Sequence, residues 1–473
     1  MKSARVYMRL SKGSLNFGIL ASGTIFAQFL LLIASPFLTR LYSPSDFGLL
    51  AIFLSVSTIS SVFFTLRYDM SIPITETKNE SGVAFILCFV IATFFLALLC
   101  IAIYLLESYF ERKFGLKNEA LYYLVPVLAY FIALNKSLIM LPIREAHYKS
   151  VAKAKISQST LVVSYQIIMS GFGFVSLLIA NAVGCISSIF SLRQYLKDSF
   201  KSRANLDDLI KSGHKFKAFP LYSLWSNLQS VVGLQLPALL YGFYFGASFV
   251  GFYALAHRVI AAPISVLGEA VSKYFLSESV GQNSGKKLKV NVLDTHLSLL
   301  RLSLPFFIMV AVIGEYIFNV VFGEDWAVSA HIAKLMIPWM LLVFTVSPLS
   351  IVYEITNNQK VGLAFNTLLF FCRLGIVIAG GVAGDPIFTV LAYSLVSAAI
   401  WAALLLWTFN HLLISFKEVL PDYFKAILFS ALTCAPSIIY KLTDYSQVLL
   451  LLLQPISFFV YYYLFIRKRL IAK

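Results

Sequence analysis

The chain has 473 residues, of which 59% are hydrophobic and only 13% are charged. Soluble domains average about 45–50% apolar and about 25% charged residues, so this composition excludes an ordinary soluble protein. A formal net charge as large as +16 could indicate nucleic-acid binding. The distribution of the charge along the chain indicates a membrane topology instead.

Apolar runs of roughly 20 residues recur along the whole chain, which predicts an all-α polytopic membrane protein. Between the fifth and sixth spans we expect a tight outer hairpin at Ile179–Asn181, and residues 193–217 form a long polar connection. We predict fourteen transmembrane helices, at residues 14–38, 45–66, 81–106, 120–142, 156–175, 177–196, 218–245, 250–276, 295–320, 332–353, 361–381, 387–411, 423–440 and 447–466.

Lysine and arginine residues concentrate on one predicted side of the membrane. With the N-terminus inside, 28 of them lie in cytoplasmic segments, 5 in outer segments and 5 within spans. Positive residues are retained on the cytoplasmic side, so both termini are predicted to be cytoplasmic. The basic loops are therefore topology signals, and we expect no nucleic-acid partner.

The second half of the chain weakly repeats the first. Pro36 precedes the stretch Gly48-Leu-Leu-Ala by twelve residues, and Pro237 precedes Gly251-Phe-Tyr-Ala by fourteen. Spans one and two enter the membrane in the same direction as spans seven and eight, which predicts two six-helix lobes related as a parallel repeat. The predicted domains are an N-lobe (1–200), a C-lobe (201–415) and two accessory C-terminal helices (416–473).

Ionisable side chains within the spans are the candidate functional residues. An arginine at the centre of a span costs about 2.5–3.5 kcal/mol even on the lenient insertion scale, so such residues mark substrate or ion routes. Arg258 lies on a stripe of small and polar residues, opposite a bulky apolar face. The candidate substrate-binding residues are Arg258, Arg373, Lys136, Arg67 and Arg301, and the candidates for gating or ion coupling are Glu269 and Asp69.

Each candidate also has a structural interpretation. Arg258 can pair with a carbonyl at a helix contact, and Lys136 and Arg301 can extend to the membrane interface. Arg67 and Asp69, at the cytoplasmic end of the second span, can form an ion pair that fixes the depth of the helix. The excess of cations over carboxylates inside the spans favours an anionic substrate over a cationic drug.

No residue pattern typical of catalysis or metal binding is present. The six histidines are scattered, the five cysteines lack metal-ligand spacing, and no glycine-rich phosphate loop precedes a lysine. We therefore expect no catalytic residue, no metal and no cofactor, and a protein that is not an enzyme.

Four stretches have a recognisable order along the chain: LTRLYSPSDFGLLAIF, RYDMSIPI, FPLYSLWSNL and VGFYALAHRVIAAPISVLGEAV. Together they resemble the bacterial polysaccharide translocases, the O-antigen flippase type, of the multidrug/oligosaccharidyl-lipid/polysaccharide (MOP) exporter superfamily. The last stretch also resembles lipid II flippases, which carry an arginine there. By position, Arg258 matches the cavity arginine of the family, and Arg67 and Asp69 match the polar pair that closes the second helix.

The resemblance implies two lobes around a cationic central cavity and alternating access. It implies transport of an undecaprenyl-pyrophosphate-linked oligosaccharide, an O-antigen, capsule or exopolysaccharide repeat unit, from the cytoplasmic to the periplasmic leaflet of the bacterial inner membrane. The expected partners are this substrate, membrane lipids and the glycan polymerase machinery. Coupling to H⁺ or Na⁺ stays open.

Two alternatives from other classes also stay open. One is an ion-coupled drug antiporter of the same superfamily, whose cavity should present acids rather than bases. The other is a membrane-embedded glycan polymerase or ligase, which would need a sizeable outer loop with catalytic groups. The predicted outer loops do not exceed roughly twenty residues, which disfavours this enzyme.

Overall fold

The computed structural model describes residues 2–114, 120–202, 204–263, 285–443 and 453–463, with side chains for 22–105, 121–202, 204–262, 287–441 and 453–463. Regular secondary structure in these ranges is helical throughout. The longer helices are α1 (Lys2–Leu41), α2 (Pro44–Thr65), α3 (Lys78–Phe114), α4 (Ala120–Arg144), α5 (Tyr148–Ile168), α6 (Phe174–Ser191), α7 (Arg193–Phe200), α8 (Leu206–Lys215), α9 (Leu224–Phe245), α10 (Ala247–Pro263), α11 (Gly285–Phe322), α12 (Ala327–Val346), α13 (Gln359–Ala383), α14 (Pro386–His411), α15 (Phe416–Thr433), α16 (Ala435–Thr443) and α17 (453–463).

The predicted class, an all-α polytopic membrane protein, is confirmed. Ten helices among the described residues are long and apolar enough to cross a membrane. An eleventh span is added if α15 and α16, which meet at an angle of 61°, are counted as one bent span. Each of the fourteen predicted spans overlaps a helix, while the number of crossings itself stays a prediction.

The predicted outer hairpin at Ile179–Asn181 is wrong. These residues lie inside α6, where the Asn181 side-chain amide donates to the Leu177 carbonyl oxygen at 2.8 Å. The break lies earlier, because Gly173 has a φ of +58°, a conformation that glycine adopts without strain. Asp46 fixes this break, since its carboxylate accepts a hydrogen bond from the Phe174 backbone N–H at 3.1 Å.

The fifth predicted span, 156–175, is also displaced from the helix. Helix α5 begins at Tyr148 and therefore includes lysines that the apolar pattern excluded. One of them, Lys155, donates to Thr24 Oγ1 on α1 at 2.8 Å, so the buried charge has a polar partner. The polar connection 193–217 contains the two short helices α7 and α8.

The chain forms two compact units, residues 1–251 and 252–473. In the first unit α1 packs on α5, and α2 packs on α4 and α9. In the second unit α11 packs on α12 and α15, and α14 packs on α12 and α13. The predicted lobe boundaries at residues 200 and 415 stay predictions.

The glycines of the weak sequence repeat contact each other in the first unit. A Cβ atom on Gly48 would lie 1.7 Å from the Ala247 carbonyl oxygen, and one on Gly251 would lie 1.8 Å from the Pro44 carbonyl oxygen. Each glycine thus faces the backbone of the residue that lies four positions before the other glycine in the sequence. Such reciprocity is what a local twofold relation between the two stretches would produce.

Candidate functional site

The backbone at the end of α2 places Asp69 in the interior. Leu66 and Arg67 both have left-handed conformations, with φ of 44° and 66°. This conformation costs a non-glycine residue roughly 1–2 kcal/mol, so the surrounding contacts must hold it. The chain then enters a short 3₁₀ helix, Tyr68–Ile74, in which Asp69 is only 3% exposed.

Arg67, Asp69 and Lys136 lie close together in the first unit. Arg67 Nη1 is 3.8 Å from Asp69 Oδ2, so the predicted pair forms. Lys136 on α4 donates to Ser61 Oγ on α2 at 3.1 Å and lies within electrostatic range of both Arg67 and Asp69. We call these four residues the first polar cluster. It holds two cations and one carboxylate, which leaves a net charge of +1.

The first polar cluster is not saturated with hydrogen bonds. Arg67 Nε and Asp69 Oδ1 are buried and have no hydrogen-bond partner among the described residues. Nearby on α4, the Asn135 amide donates to Gln158 Oε1 at 3.2 Å, and Asn135 Oδ1 is buried without a partner in the described ranges. Unsatisfied buried polar atoms cost free energy, so a further polar partner at these atoms would be stabilising.

Arg373 occupies a different environment in the second unit. Its Nε donates to Ser397 Oγ on α14 at 2.9 Å. Its guanidinium carbon lies over two aromatic rings, 4.7 Å from the Trp339 centroid and 5.0 Å from the Tyr393 centroid. His257 on α10 stacks near Trp339, with ring centroids 6.1 Å apart. We call these five residues the Arg373 cluster.

Arg258 lies on α10, directly after His257, and its side chain is half-buried. One residue is a rotation of about 100° around a helix, so Arg258 and His257 occupy different faces of α10. Glu269 lies outside the described residues. The predicted roles of Arg258 in substrate binding and of Glu269 in gating or coupling therefore stay predictions.

Arg301 makes its contacts with other residues of the second unit. Its Nη2 is 3.0 Å from Asp422 Oδ1 on α15, and both side chains are about one-third exposed. Its carbonyl oxygen accepts a hydrogen bond from the Tyr461 hydroxyl at 2.9 Å. These contacts connect α11 to α15 and α17, while the predicted substrate role of Arg301 stays a prediction.

Sequence reasoning found the charged members of both clusters but missed their neighbours. The missed residues are Ser61, His257, Trp339, Tyr393 and Ser397. Arg373 carried a usable signal, because the buried positions Leu369 and Val377 precede and follow it by four residues. An arginine on such a stripe needs partners on the adjoining helix, although the sequence does not say which.

The described helices define a multi-pass membrane protein, and its fold is similar to that of solved membrane transporters. A solved structure of the lipid II flippase MurJ in an inward closed conformation matches with a TM-score of 0.72 at 15% identity, covering 95% of this chain and 99% of that chain. An inward-facing MATE multidrug transporter gives 0.55 at 12% identity, covering 83% and 94%. An outward-facing MATE transporter gives 0.50 at 12% identity, covering 84% and 95%. At these identities the likeness shows the fold.

The family is established by the sequence itself. A family model described as polysaccharide biosynthesis protein matches residues 37–331, which is more than half of the chain. The protein therefore belongs to this polysaccharide biosynthesis family, and the family predicted from the resemblance is confirmed. Comparison with curated protein sequences gives no significant match.

Proposed function

We propose that this protein is a flippase that moves an undecaprenyl-pyrophosphate-linked oligosaccharide from the cytoplasmic to the periplasmic leaflet of the bacterial inner membrane. The observation that carries the proposal is the net positive charge of the first polar cluster and of the Arg373 cluster. Within the described part of the chain, Lys136 and Arg373 hydrogen-bond to serine hydroxyls and make no ion pair closer than 4 Å.

An anionic head group explains these cations better than packing alone. A diphosphate cannot enter hydrocarbon without losing its hydration, and charge-assisted hydrogen bonds from lysine and arginine replace part of that hydration. The polyprenyl tail stays in the acyl region and needs no protein site. Membership of a polysaccharide biosynthesis family supports a glycan as the cargo of this lipid carrier.

The mechanism that we propose is alternating access, as the parallel repeat predicts. In this mechanism basic residues within the spans hold the diphosphate while the sugars occupy a wet path, and Arg258 is the proposed central residue. Asp69 and Glu269 are the proposed gating or coupling groups. H⁺ or Na⁺ is the proposed coupling ion, both termini are cytoplasmic, and the glycan polymerase machinery is the proposed functional partner.

The test uses the purified full chain in liposomes with a lipid-linked oligosaccharide that is fluorescently labelled on its sugar. A membrane-impermeant quencher reports which leaflet holds the label. The flippase should move label from the protected to the accessible leaflet without changing glycan length. A change of glycan length would identify a polymerase or ligase, and export of a cationic dye without movement of the label would identify a drug antiporter.

Substitution of Arg258 tests the proposed central residue. Arg258→Ala should abolish movement of the label while the protein still inserts and retains its thermal unfolding midpoint. Arg258→Lys should restore at most part of the rate, because lysine lacks the bidentate donor geometry of a guanidinium. Wild-type flux in the alanine variant would remove Arg258 from the mechanism.

A further inference from the structure

The position of Arg373 is unusual for a charged residue. It lies on the face of α13 that packs against α14, with the buried residues Leu369 and Val377 one turn before and after it. Apolar residues ordinarily fill such a stripe, since a charge there must be desolvated. A cation at this position requires compensation from its surroundings.

The surroundings orient Arg373 without neutralising it. The Ser397 hydroxyl accepts from Nε, and the rings of Trp339 and Tyr393 lie beneath the guanidinium carbon. The two rings meet edge to face, with centroids 5.2 Å apart. Both are more than nine-tenths buried, so they form a fixed support for the guanidinium rather than an open platform for a sugar.

The two terminal nitrogens of Arg373 are available as hydrogen-bond donors. Nη1 and Nη2 have no hydrogen-bond or ion-pair partner in the described ranges, so the edge of the guanidinium that binds oxyanions is free. Trp339 Nε1, a second donor in the same cluster, is buried and has no hydrogen-bond partner in those ranges either. His257 is the other titratable member of the Arg373 cluster, and a histidine side chain supplies no negative charge.

We infer that the Arg373 cluster is a binding subsite for an oxyanion of the transported head group. Two parallel N–H groups of a guanidinium match the spacing of carboxylate or phosphate oxygens, and a held guanidinium loses little freedom on binding. The inference rests on the proposed function. The oxyanion comes either from the diphosphate link or from an acidic sugar, which share this chemistry.

Calorimetric titration of the detergent-solubilised full chain tests the subsite, with inorganic pyrophosphate and glucuronate as separate probes. Arg373→Met keeps the volume and removes the charge, and it should weaken binding of one probe at least tenfold. Arg373→Lys should weaken it less, because charge remains while the paired donors are lost. Lys417→Met, which removes one charge from an exposed position, should bind as the wild type does.

Two further variants separate a binding role from a packing role. Trp339→Phe keeps the ring and removes only the indole N–H, so it should weaken the same probe severalfold while the unfolding midpoint changes little. Ser397→Ala removes the hydroxyl that orients Nε and should give a smaller loss. A midpoint that falls in Arg373→Met together with unchanged binding of both probes would identify a packing residue and overturn the subsite.

The outcomes also separate this inference from the proposed function. Loss of pyrophosphate binding in Arg373→Met identifies the diphosphate as the source, and loss of glucuronate binding identifies an acidic sugar. Wild-type flux of lipid-linked oligosaccharide in Arg373→Met would overturn the subsite and leave the flippase standing. Arg373-dependent anion binding without any flux in the wild type would overturn the flippase and leave the anion site.

Discussion

In the first unit, Arg67 pairs with the buried Asp69 carboxylate and Lys136 lies within electrostatic range of it, whereas in the second unit Arg373 rests on aromatic rings and a serine hydroxyl. The ring quadrupoles attract the guanidinium but carry no net charge. An ion pair therefore neutralises most of its cation, while the aromatic support leaves the positive charge in place. The comparison shows that a half-buried cation can be held in place by its neighbours and still be available for an anion.

Removal of the Asp69 carboxylate should have the largest effect on the stability of the protein. Asp69→Asn leaves Arg67 and Lys136 as neighbouring half-buried cations, and the loss of one partner of a buried pair costs about 3 kcal/mol at the low end of its range. We expect a fall of about that size in the free energy of unfolding, measured in mixed micelles.

A second substitution tests whether charge causes this loss. Lys136→Met in the Asp69→Asn background should recover part of the stability, because it removes one of the two repelling cations. A double variant less stable than Asp69→Asn would show that Lys136 stabilises the unit through packing rather than through its charge.

A steric change that leaves all charges in place should give the next largest effect. Gly48→Ala puts a methyl group where the Ala247 carbonyl oxygen lies, so the helix ends must separate. Overpacking of this kind costs about 1–3 kcal/mol, measured as a lower free energy of unfolding. Gly251→Ala should cost a similar amount if the contact is reciprocal.

The matched control for this steric change is Gly375→Ala on α13, where a new Cβ would meet nothing within 4 Å. Alanine favours a helix over glycine, so this control should be neutral or slightly stabilising. An equal loss in all three glycine variants would remove the backbone contact as the cause.

Neutralisation of Arg373 should lower the free energy of unfolding less than Asp69→Asn or Gly48→Ala does, which sharpens the contrast with Asp69. Arg373→Met leaves no acid unpaired among the described neighbours, and the lost attraction to the rings is offset by the smaller cost of burying methionine. The free energy of unfolding should change by no more than about 1 kcal/mol. A loss comparable to that of Asp69→Asn would mean that the two clusters have the same structural role.

The smallest effect should come from an exposed ion pair outside the membrane spans. Asp198 accepts a hydrogen bond from Lys78 at 3.1 Å, which lowers the pKa of the Asp198 carboxyl below its ordinary value. Its contribution to stability is therefore present above the ordinary pKa and is lost as the pH falls through the lowered pKa. Asp198→Asn should reduce the unfolding midpoint slightly at pH 7 and not at all in strong acid.

Local patterns predicted most helices but misplaced one turn for a clear reason. A polar residue, Asn181, interrupts the apolar run and suggests a loop, yet its amide bonds to a carbonyl of its own helix. The chain reverses instead at Gly173, where the backbone conformation favours glycine and an aspartate of another helix caps the new one. That cap comes from Asp46, which is distant in sequence, so no local pattern reveals it.

The candidate site was also only partly predictable. Arg67 and Asp69 are two residues apart, so their pairing follows from sequence proximity. Lys136 joins them because α4 packs on α2, and the aromatic partners of Arg373 come from two other helices. Such pairings depend on which helix faces meet, and hydropathy does not encode that.

The sequence by itself determined the membrane class, the positions of most helices and the family. These properties depend on local hydrophobicity and composition, which the surrounding bilayer selects directly. Only the tertiary structure decided which half-buried cation has a carboxylate as its neighbour and which has aromatic rings. Charge compensation in a low-dielectric interior depends on separations of a few ångströms between residues far apart in the chain, and only packing sets those separations.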